Sequence, residues 1–76
     1  MLKEHDTVAL TRDLPGQGLA AGDIGAIVHV YPDGLAFEVE FISLTGKTIA
    51  VETLPVEAVR AVGDLEIAHV RQVAAE

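Results

Sequence analysis

Three glutamates near the middle of the chain are the side chains whose type and spacing come closest to chemistry. Glu38 and Glu40 alternate with apolar residues in the segment FEVEF, and Glu52 follows in the next apolar segment. Alternate residues of a strand point to the same face of a sheet, so we expect these carboxylates to share an outer face. Acid–base catalysis needs a concave pocket that excludes water. We therefore interpret the three glutamates as a solvated acidic surface.

Other side chains that could bind a metal or act as nucleophiles are scattered along the chain. His5, His29 and His69 are far apart in sequence, unlike the closely spaced ligands of short metal-binding motifs. Ser43 stands in a predicted turn with no histidine near it in sequence, and there is no cysteine. We expect no catalytic residues, no metal site and no cofactor, and a protein that is not an enzyme.

The glycine-containing segment AAGDIGAIV could be read as a phosphate-binding loop. Such loops lead into the N-terminus of a helix, often with a lysine, whereas Gly25 is followed by Ala-Ile-Val and no lysine. We predict instead that Gly22 and Gly25 permit a tight turn and a bent strand. Asp23 is expected to accept hydrogen bonds from nearby backbone amides.

Length and charge restrict the classes of protein that the chain can form. Its 76 residues make one domain, and half of them are apolar, which is enough for a compact core. Five basic and twelve acidic side chains give a net charge of −7, which disfavours nucleic acid and suits a basic protein partner. There is no apolar stretch of signal-peptide or membrane-spanning length. We expect a soluble, cytoplasmic protein, as the absence of cysteine also indicates.

Short apolar runs separated by Gly, Pro and Asp predict five β-strands and an all-β fold. The expected strands are residues 7–10, 23–30, 35–42, 47–53 and 59–62. The first two are joined by a long loop in which Pro15-Gly16 and Gly18 interrupt regular structure, and in which Leu14 and Leu19 fold back over the core. A short 3₁₀ turn is expected to begin at Pro55.

The alternation of apolar residues predicts the strand registers. With a turn at residues 31–34, Val30 opposes Leu35 and Val28 opposes Phe37, and the same parity continues to the pair Ile24–Phe41. In the next hairpin Phe41 opposes Ile49, Ile42 opposes Thr48 and a bulge lies near Gly46. That register also places Glu38 opposite Glu52. The predicted core is Val8, Leu10, Ile24, Val28, Val30, Phe37, Val39, Phe41, Ile49 and Val51.

The C-terminal segment, residues 63–76, has a different pattern from the predicted barrel of residues 1–62. Leu65, Ala68 and Val73 have a helical spacing, and Asp64 is a candidate N-cap. The spacing favours a short helix over a strand. A segment in this position could cover an open end of the barrel or mediate self-association.

Five short strands, a long first loop and a 3₁₀ turn before the last strand resemble an SH3-like barrel. The segments HDTVAL, DLP, GL, GDIG, FEVEF and GKTIAVETL follow in this order. They resemble an uncharacterised bacterial family of small SH3-like barrel proteins, a domain of unknown function. The resemblance covers residues 2–62 and implies the fold, and it carries no activity.

Residues 22–28 are also similar to two other barrels. One is the glycine-centred KOW motif of ribosomal and transcription-factor proteins, and the other is the barrel of the nitrile hydratase β subunit. KOW barrels bind RNA through basic loops, whereas Arg12 is the only cation in this loop, beside Asp13 and Asp23. This charge departs from the KOW pattern and disfavours RNA.

The first functional hypothesis is a non-catalytic protein-binding or accessory module that docks to a protein partner through its acidic surface, long first loop or tail. Two alternatives remain open. One is a KOW-like RNA-binding domain, and the other is a structural unit that self-assembles through its tail or strand edges. We predict no membrane partner. The candidate partner-binding residues are Arg12, Asp13, Tyr31, Glu38, Glu40 and Glu52.

Overall fold

The structure, a computed structural model, describes residues 1–73. The chain folds into a single antiparallel sheet of five strands. The strands are β1 (Thr7–Leu10), β2 (Ile24–Val30), β3 (Ala36–Ile42), β4 (Thr48–Pro55) and β5 (Val59–Ala61). Their order in the sheet is β4-β3-β2-β1-β5. The all-β class is confirmed, and each strand lies within two residues of its predicted bounds.

Two 3₁₀ turns connect the strands. The turn at Val56–Ala58 follows Pro55, as predicted, and leads directly into β5. The other, at Pro15–Gln17, lies in the long first loop, for which no regular structure was expected. Gly18 ends it in the left-handed conformation, and Leu14 then bridges Leu19. This closure places Leu19 in the core, as predicted.

The core lies on one face of the sheet, which we call the inner face. Strands β1 to β4 supply most of it, and the first loop and the second 3₁₀ turn complete it. Among the predicted core residues, five are buried: Val8, Leu10, Phe37, Val39 and Phe41. The buried hydrophobic residues that the prediction missed are Ala9, Ile27, Leu54, Ala58 and Val59.

The predicted register of β2 against β3 is wrong. The turn Tyr31-Pro32-Asp33-Gly34 forms as expected, with Gly34 N–H bonded to the Tyr31 carbonyl at 2.9 Å. Val30 nevertheless pairs with Phe37, and Leu35 is an exposed extra residue of the loop. A bulge between Ile27 and His29 then reverses the side-chain parity.

The bulge in β2 changes which side chains face the core. Ile27 is fully buried, whereas Ile24 and Val28, both predicted to be inward, are exposed, and Val30 is only half-buried. Because a bulge adds one residue to one strand, Ile27 and Val30 can both face inward although they are three positions apart.

In β3 and β4 the predicted register is partly correct. Ile42 pairs with Thr48, but the bulge lies between Phe41 and Ile42, with Ile49 as the extra residue, and not near Gly46. Phe41 consequently opposes Ala50, and Ile49 is half-buried. The shift moves Val51, a predicted core residue, onto the exposed face and buries Leu54 instead.

The predicted C-terminal helix is absent from the described part of the tail, residues 63–73, which contains neither helix nor strand. The Glu66 carboxylate accepts hydrogen bonds from the nearby donors. These are the Gly63 N–H at 2.6 Å and two N–H groups of Arg60, both at 2.8 Å. These contacts fold the start of the tail as a turn, in place of the helix that Asp64 was expected to cap. The last three residues of the predicted helical segment lie outside the described residues.

Candidate functional site

The face of the sheet opposite the core, which we call the outer face, carries acidic and apolar side chains side by side. Directly opposed residues of antiparallel strands share a face. One row therefore runs from Ala26 through Glu40 to Val51, and the next contains Glu38 between His29 and Thr53. Ile42 is two residues beyond Glu40 in β3, so it lies on the same face, and it is exposed.

Glu38 is held by hydrogen bonds from two neighbouring hydroxyl groups. The Tyr31 hydroxyl donates to its Oε1 at 2.7 Å, and the Thr53 hydroxyl donates to the same atom at 2.9 Å. Both bonds stabilise the ionised carboxylate, so they lower the pKa of Glu38, Tyr31 contributing most. The tyrosine ring also meets His29 edge-on, with centroids 4.9 Å apart.

Glu40 is ordered in the same way on the same face. The Thr48 hydroxyl donates to Glu40 Oε2 at 2.7 Å, across the hairpin from β4. The structure thus brings Tyr31, Glu38 and Glu40 together, three of the residues singled out from sequence. Glu38 and Glu40 are half-buried residues, and hydroxyl donors orient their carboxylates.

Glu52 lies apart from the other two glutamates, and the expectation of three carboxylates on one face is wrong. It opposes Val39, a buried residue of the inner face, so its side chain lies at the margin of that face. Glu38 opposes Thr53, not Glu52. The predicted like-charge pair is therefore replaced by a hydrogen bond, because the bulge at Ile49 shifts β4 by one residue.

The remaining candidate residues, Arg12 and Asp13, lie in the first loop and not in the strands of the outer face. Asp13 Oδ1 accepts the Ala21 N–H at 2.9 Å, which braces the two ends of the loop against each other. Arg12 is exposed beside it. Asp23 accepts the Ala20 N–H at 2.9 Å, which is the backbone hydrogen bond that the sequence analysis expected of it.

Asp23 also binds Arg71 of the tail, a contact that the sequence analysis missed. Arg71 Nε donates to Asp23 Oδ1 at 2.8 Å, Nη2 donates to Oδ2, and Nη2 donates to the Gly18 carbonyl at 2.9 Å. The guanidinium lowers the pKa of Asp23 and outweighs the opposing effect of partial burial. The partners are 48 positions apart, so no local sequence pattern could have indicated the pair.

Within residues 1–73, no group of three or more His, Asp or Glu side chains is arranged to hold a metal ion. His29 Nδ1 lies 3.9 Å from the Glu4 carboxylate. In the same part of the chain, no helix is long and apolar enough to cross a membrane.

Comparison with known proteins identifies one relationship. The family described as "Domain of unknown function (DUF4926)" matches residues 4–61. The chain belongs to this family. Neither a curated protein nor a solved structure matches the chain.

The DUF4926 match contains all five strands and all six candidate partner-binding residues. It also contains Asp23 and Gly18, which bind the guanidinium of Arg71. Arg71 itself lies beyond the matched residues, in the tail. The acceptor side of this contact is thus part of the DUF4926 domain, and the donor side lies outside it.

Proposed function

We propose that this DUF4926 chain is a non-catalytic protein-binding module that docks to a basic surface of a protein partner. The observation that carries the proposal is the outer face, where Glu38 and Glu40 are held in place by hydroxyl donors among exposed Ile42 and Val51. Acceptors that are already oriented lose less freedom on binding. Exposed branched side chains beside them supply apolar area for the same contact.

The overall charge favours a basic protein partner over a nucleic acid. The net charge is −7. Three of the five cationic side chains, Lys3, Arg60 and Arg71, form ion pairs with carboxylates of the chain itself. Phosphate binding depends on cations that are free to neutralise it. These pairs therefore weigh against the RNA-binding alternative.

The architecture that we propose for this module is an SH3-like barrel. Supporting it are the strand order β4-β3-β2-β1-β5, the long loop between β1 and β2, and the 3₁₀ turn before β5. We also propose a bacterial, cytoplasmic setting. It rests on the resemblance described above and on the absence of cysteine, which fits a reducing compartment.

The test is affinity capture with cross-linking from the native host, comparing the natural chain with Glu40→Lys and Glu57→Lys. Glu57 is exposed in the second 3₁₀ turn, away from the outer face, so it controls for the change of charge. We expect a stoichiometric protein that the natural chain and Glu57→Lys retain and that Glu40→Lys loses. Recovery of no such protein, or equal recovery with Glu40→Lys, would contradict the proposal.

A further inference from the structure

The tail is fastened to the first loop by a single arginine. Asp23 and the Gly18 carbonyl together receive three hydrogen bonds from the Arg71 guanidinium. We call these two acceptors the guanidinium socket. A fork of two N–H groups against both carboxylate oxygens is specific for arginine, since a lysine ammonium cannot form it.

The socket is built by the loop and not by the tail. The Ala20 N–H orients the Asp23 carboxylate, and the backbone of Asp23 is bound to β1 through its carbonyl and the Leu10 N–H at 2.9 Å. The Gly22 N–H bonds back to the Leu10 carbonyl at 2.8 Å. The acceptors therefore keep their positions when the arginine leaves.

Beyond the turn that Arg60 and Glu66 hold at its start, the tail is held weakly apart from Arg71. Among the described residues of the tail, the one backbone-to-backbone hydrogen bond is local, from the Glu66 N–H to the Gly63 carbonyl. Ile67 is 94% exposed, and Val70 is exposed as well. An extended segment with so little buried surface is readily displaced by one that buries more.

An apolar groove beside the socket is only partly filled by the tail. Its volume is about 400 Å³. Val73 is half-buried there, whereas Ile24, Ile42 and Leu44 stay exposed. The barrel lines it with Leu19, Ile24, Phe41, Ile42, Leu44 and Ile49, and the tail forms its other wall. A ligand with better placed apolar residues would gain contacts that the tail does not make.

We propose that the socket and this groove bind an extended segment of a protein partner in which an arginine is flanked by branched apolar residues. In the absence of the partner, the tail occupies the socket with Arg71. This inference rests on the proposed function and specifies the chemistry of the partner. The net charge of −7 attracts such a basic segment.

A partner fits this surface better than the tail of a second copy does. The resident tail is tethered, so its effective concentration at the socket is on the order of millimolar. The tail of another copy offers the same side chains without that advantage. A competitor must therefore bring additional contacts, and the unfilled part of the groove is where it can make them.

The probe is a fluorescent peptide with the sequence of residues 64–73, DLEIAHVRQV, titrated into the full chain and monitored by anisotropy. We expect the Arg71→Gln chain to bind it about tenfold or more tightly than the natural chain does, because the tethered arginine no longer competes. The same peptide carrying Arg71→Gln should lose that affinity. The amide signals of Gly18, Ala20 and Asp23 should shift on binding.

Two further variants control the experiment. Lys47→Gln removes one positive charge from the exposed turn between β3 and β4, outside the socket, and it should bind the peptide as weakly as the natural chain does. Adding Asp23→Asn to the Arg71→Gln chain should abolish binding. Its thermal unfolding is measured beside that of Arg71→Gln, and an intact amide spectrum establishes that the fold is retained.

Equal affinity of the natural and Arg71→Gln chains for the peptide, or equal affinity of the two peptides, would overturn the inference. A molecular mass that doubles with concentration and returns to the monomer value in Arg71→Gln would assign the socket to a second copy instead. A captured partner that is lost with Glu40→Lys but unaffected by Arg71→Gln and Asp23→Asn would refute this inference and leave the proposed function standing. Peptide binding without any stoichiometric protein partner would refute the proposed function and, with it, the assignment of the socket to a partner.

Discussion

At Gly25 the backbone of β2 is approached so closely by side chains of β3 that no Cβ atom fits. A Cβ built there would lie 2.8 Å from Val39 Cγ1, 2.9 Å from Phe41 Cδ1 and 2.9 Å from the Glu40 carbonyl oxygen. The last of these belongs to the sheet backbone and cannot move without disturbing the strand pairing. The second glycine of the segment GDIG thus allows β2 to pack closely against β3, whereas the sequence analysis expected it to permit a bent strand.

We predict that Gly25→Ala lowers the free energy of unfolding by about 1–3 kcal/mol, the usual cost of overpacking a core. The matched control is Gly16→Ala, since a Cβ at Gly16 meets nothing within 4 Å. Urea unfolding followed by circular dichroism measures both. Equal stability of the two variants would mean that the close approach at Gly25 is not present in solution.

At the scale of the strands, one-residue bulges decide which side chains are buried. Ile27 and Val28 are neighbours of similar chemistry, yet the former is 0% exposed and the latter 42%. The alternation of apolar residues in IGAIVHV fits two opposite parities, because apolar residues stand at both. Sequence pattern alone could not choose between them, and the wrong one was predicted.

We predict that Ile27→Ala costs about 2–5 kcal/mol of unfolding free energy, as deletion of a buried aliphatic side chain does. Val28→Ala should change it by no more than about 0.5 kcal/mol, as is usual for surface positions. Chemical denaturation of the two variants measures the difference. A larger loss of stability in Val28→Ala than in Ile27→Ala would indicate the predicted register, which has no bulge in β2, and would contradict the observed one.

The edge strand β4 carries a charge toward the inner face. Glu52 opposes Val39, and Pro55 ends the strand. Inward charges and prolines on edge strands hinder pairing with another chain. Glu52 therefore weighs against the alternative in which the chain self-assembles through this strand edge.

We predict that Glu52→Val promotes concentration-dependent self-association, because it removes that charge and leaves a strand of high β propensity at the edge. Light scattering over a range of protein concentrations measures the molecular mass. Glu57→Val, which removes an exposed charge from the second 3₁₀ turn, is expected to keep the mass of the natural chain. Identical masses for the two variants would show that Glu52 does not protect the edge.

At the scale of the whole molecule, two arginine–carboxylate pairs determine the course of the tail. Arg60 binds Glu66 at its start, and Arg71 binds Asp23 further along. The Arg60 guanidinium, helped by the Gly63 N–H, lowers the pKa of Glu66 from 4.5 to about 2. A carboxyl group whose pKa is lowered on folding stabilises the folded form fully above its unfolded pKa, and this contribution is lost as the pH falls through the folded value.

We predict that the tail turn at Gly63–Glu66 persists through pH 4.5 and is lost only as the pH falls toward about 2. An NMR titration of the Glu66 carboxyl group and the Gly63 amide measures the midpoint. Arg60→Gln should raise that midpoint toward 4.5, whereas Arg12→Gln should leave it unchanged. A natural-chain midpoint near 4.5 would mean that the ion pair does not form in solution.

The sequence alone was enough to predict the all-β class, the strand positions, the two hairpin turns and the place of the 3₁₀ turn before β5. These features depend on local signals, namely proline, glycine and short apolar runs, which act between neighbouring residues. It also indicated that Tyr31 and the FEVEF glutamates are candidates for contact with a partner.

The two bulges, the separation of Glu52 from Glu38 and the attachment of Arg71 to Asp23 were visible only in the tertiary structure. Each of these depends on contacts between residues distant in the chain. The register of one strand on another follows from how well their side chains pack together, and an ion pair 48 positions apart leaves no periodic trace in the sequence. The surface that we propose for binding therefore became visible only when the strands and the tail were brought together.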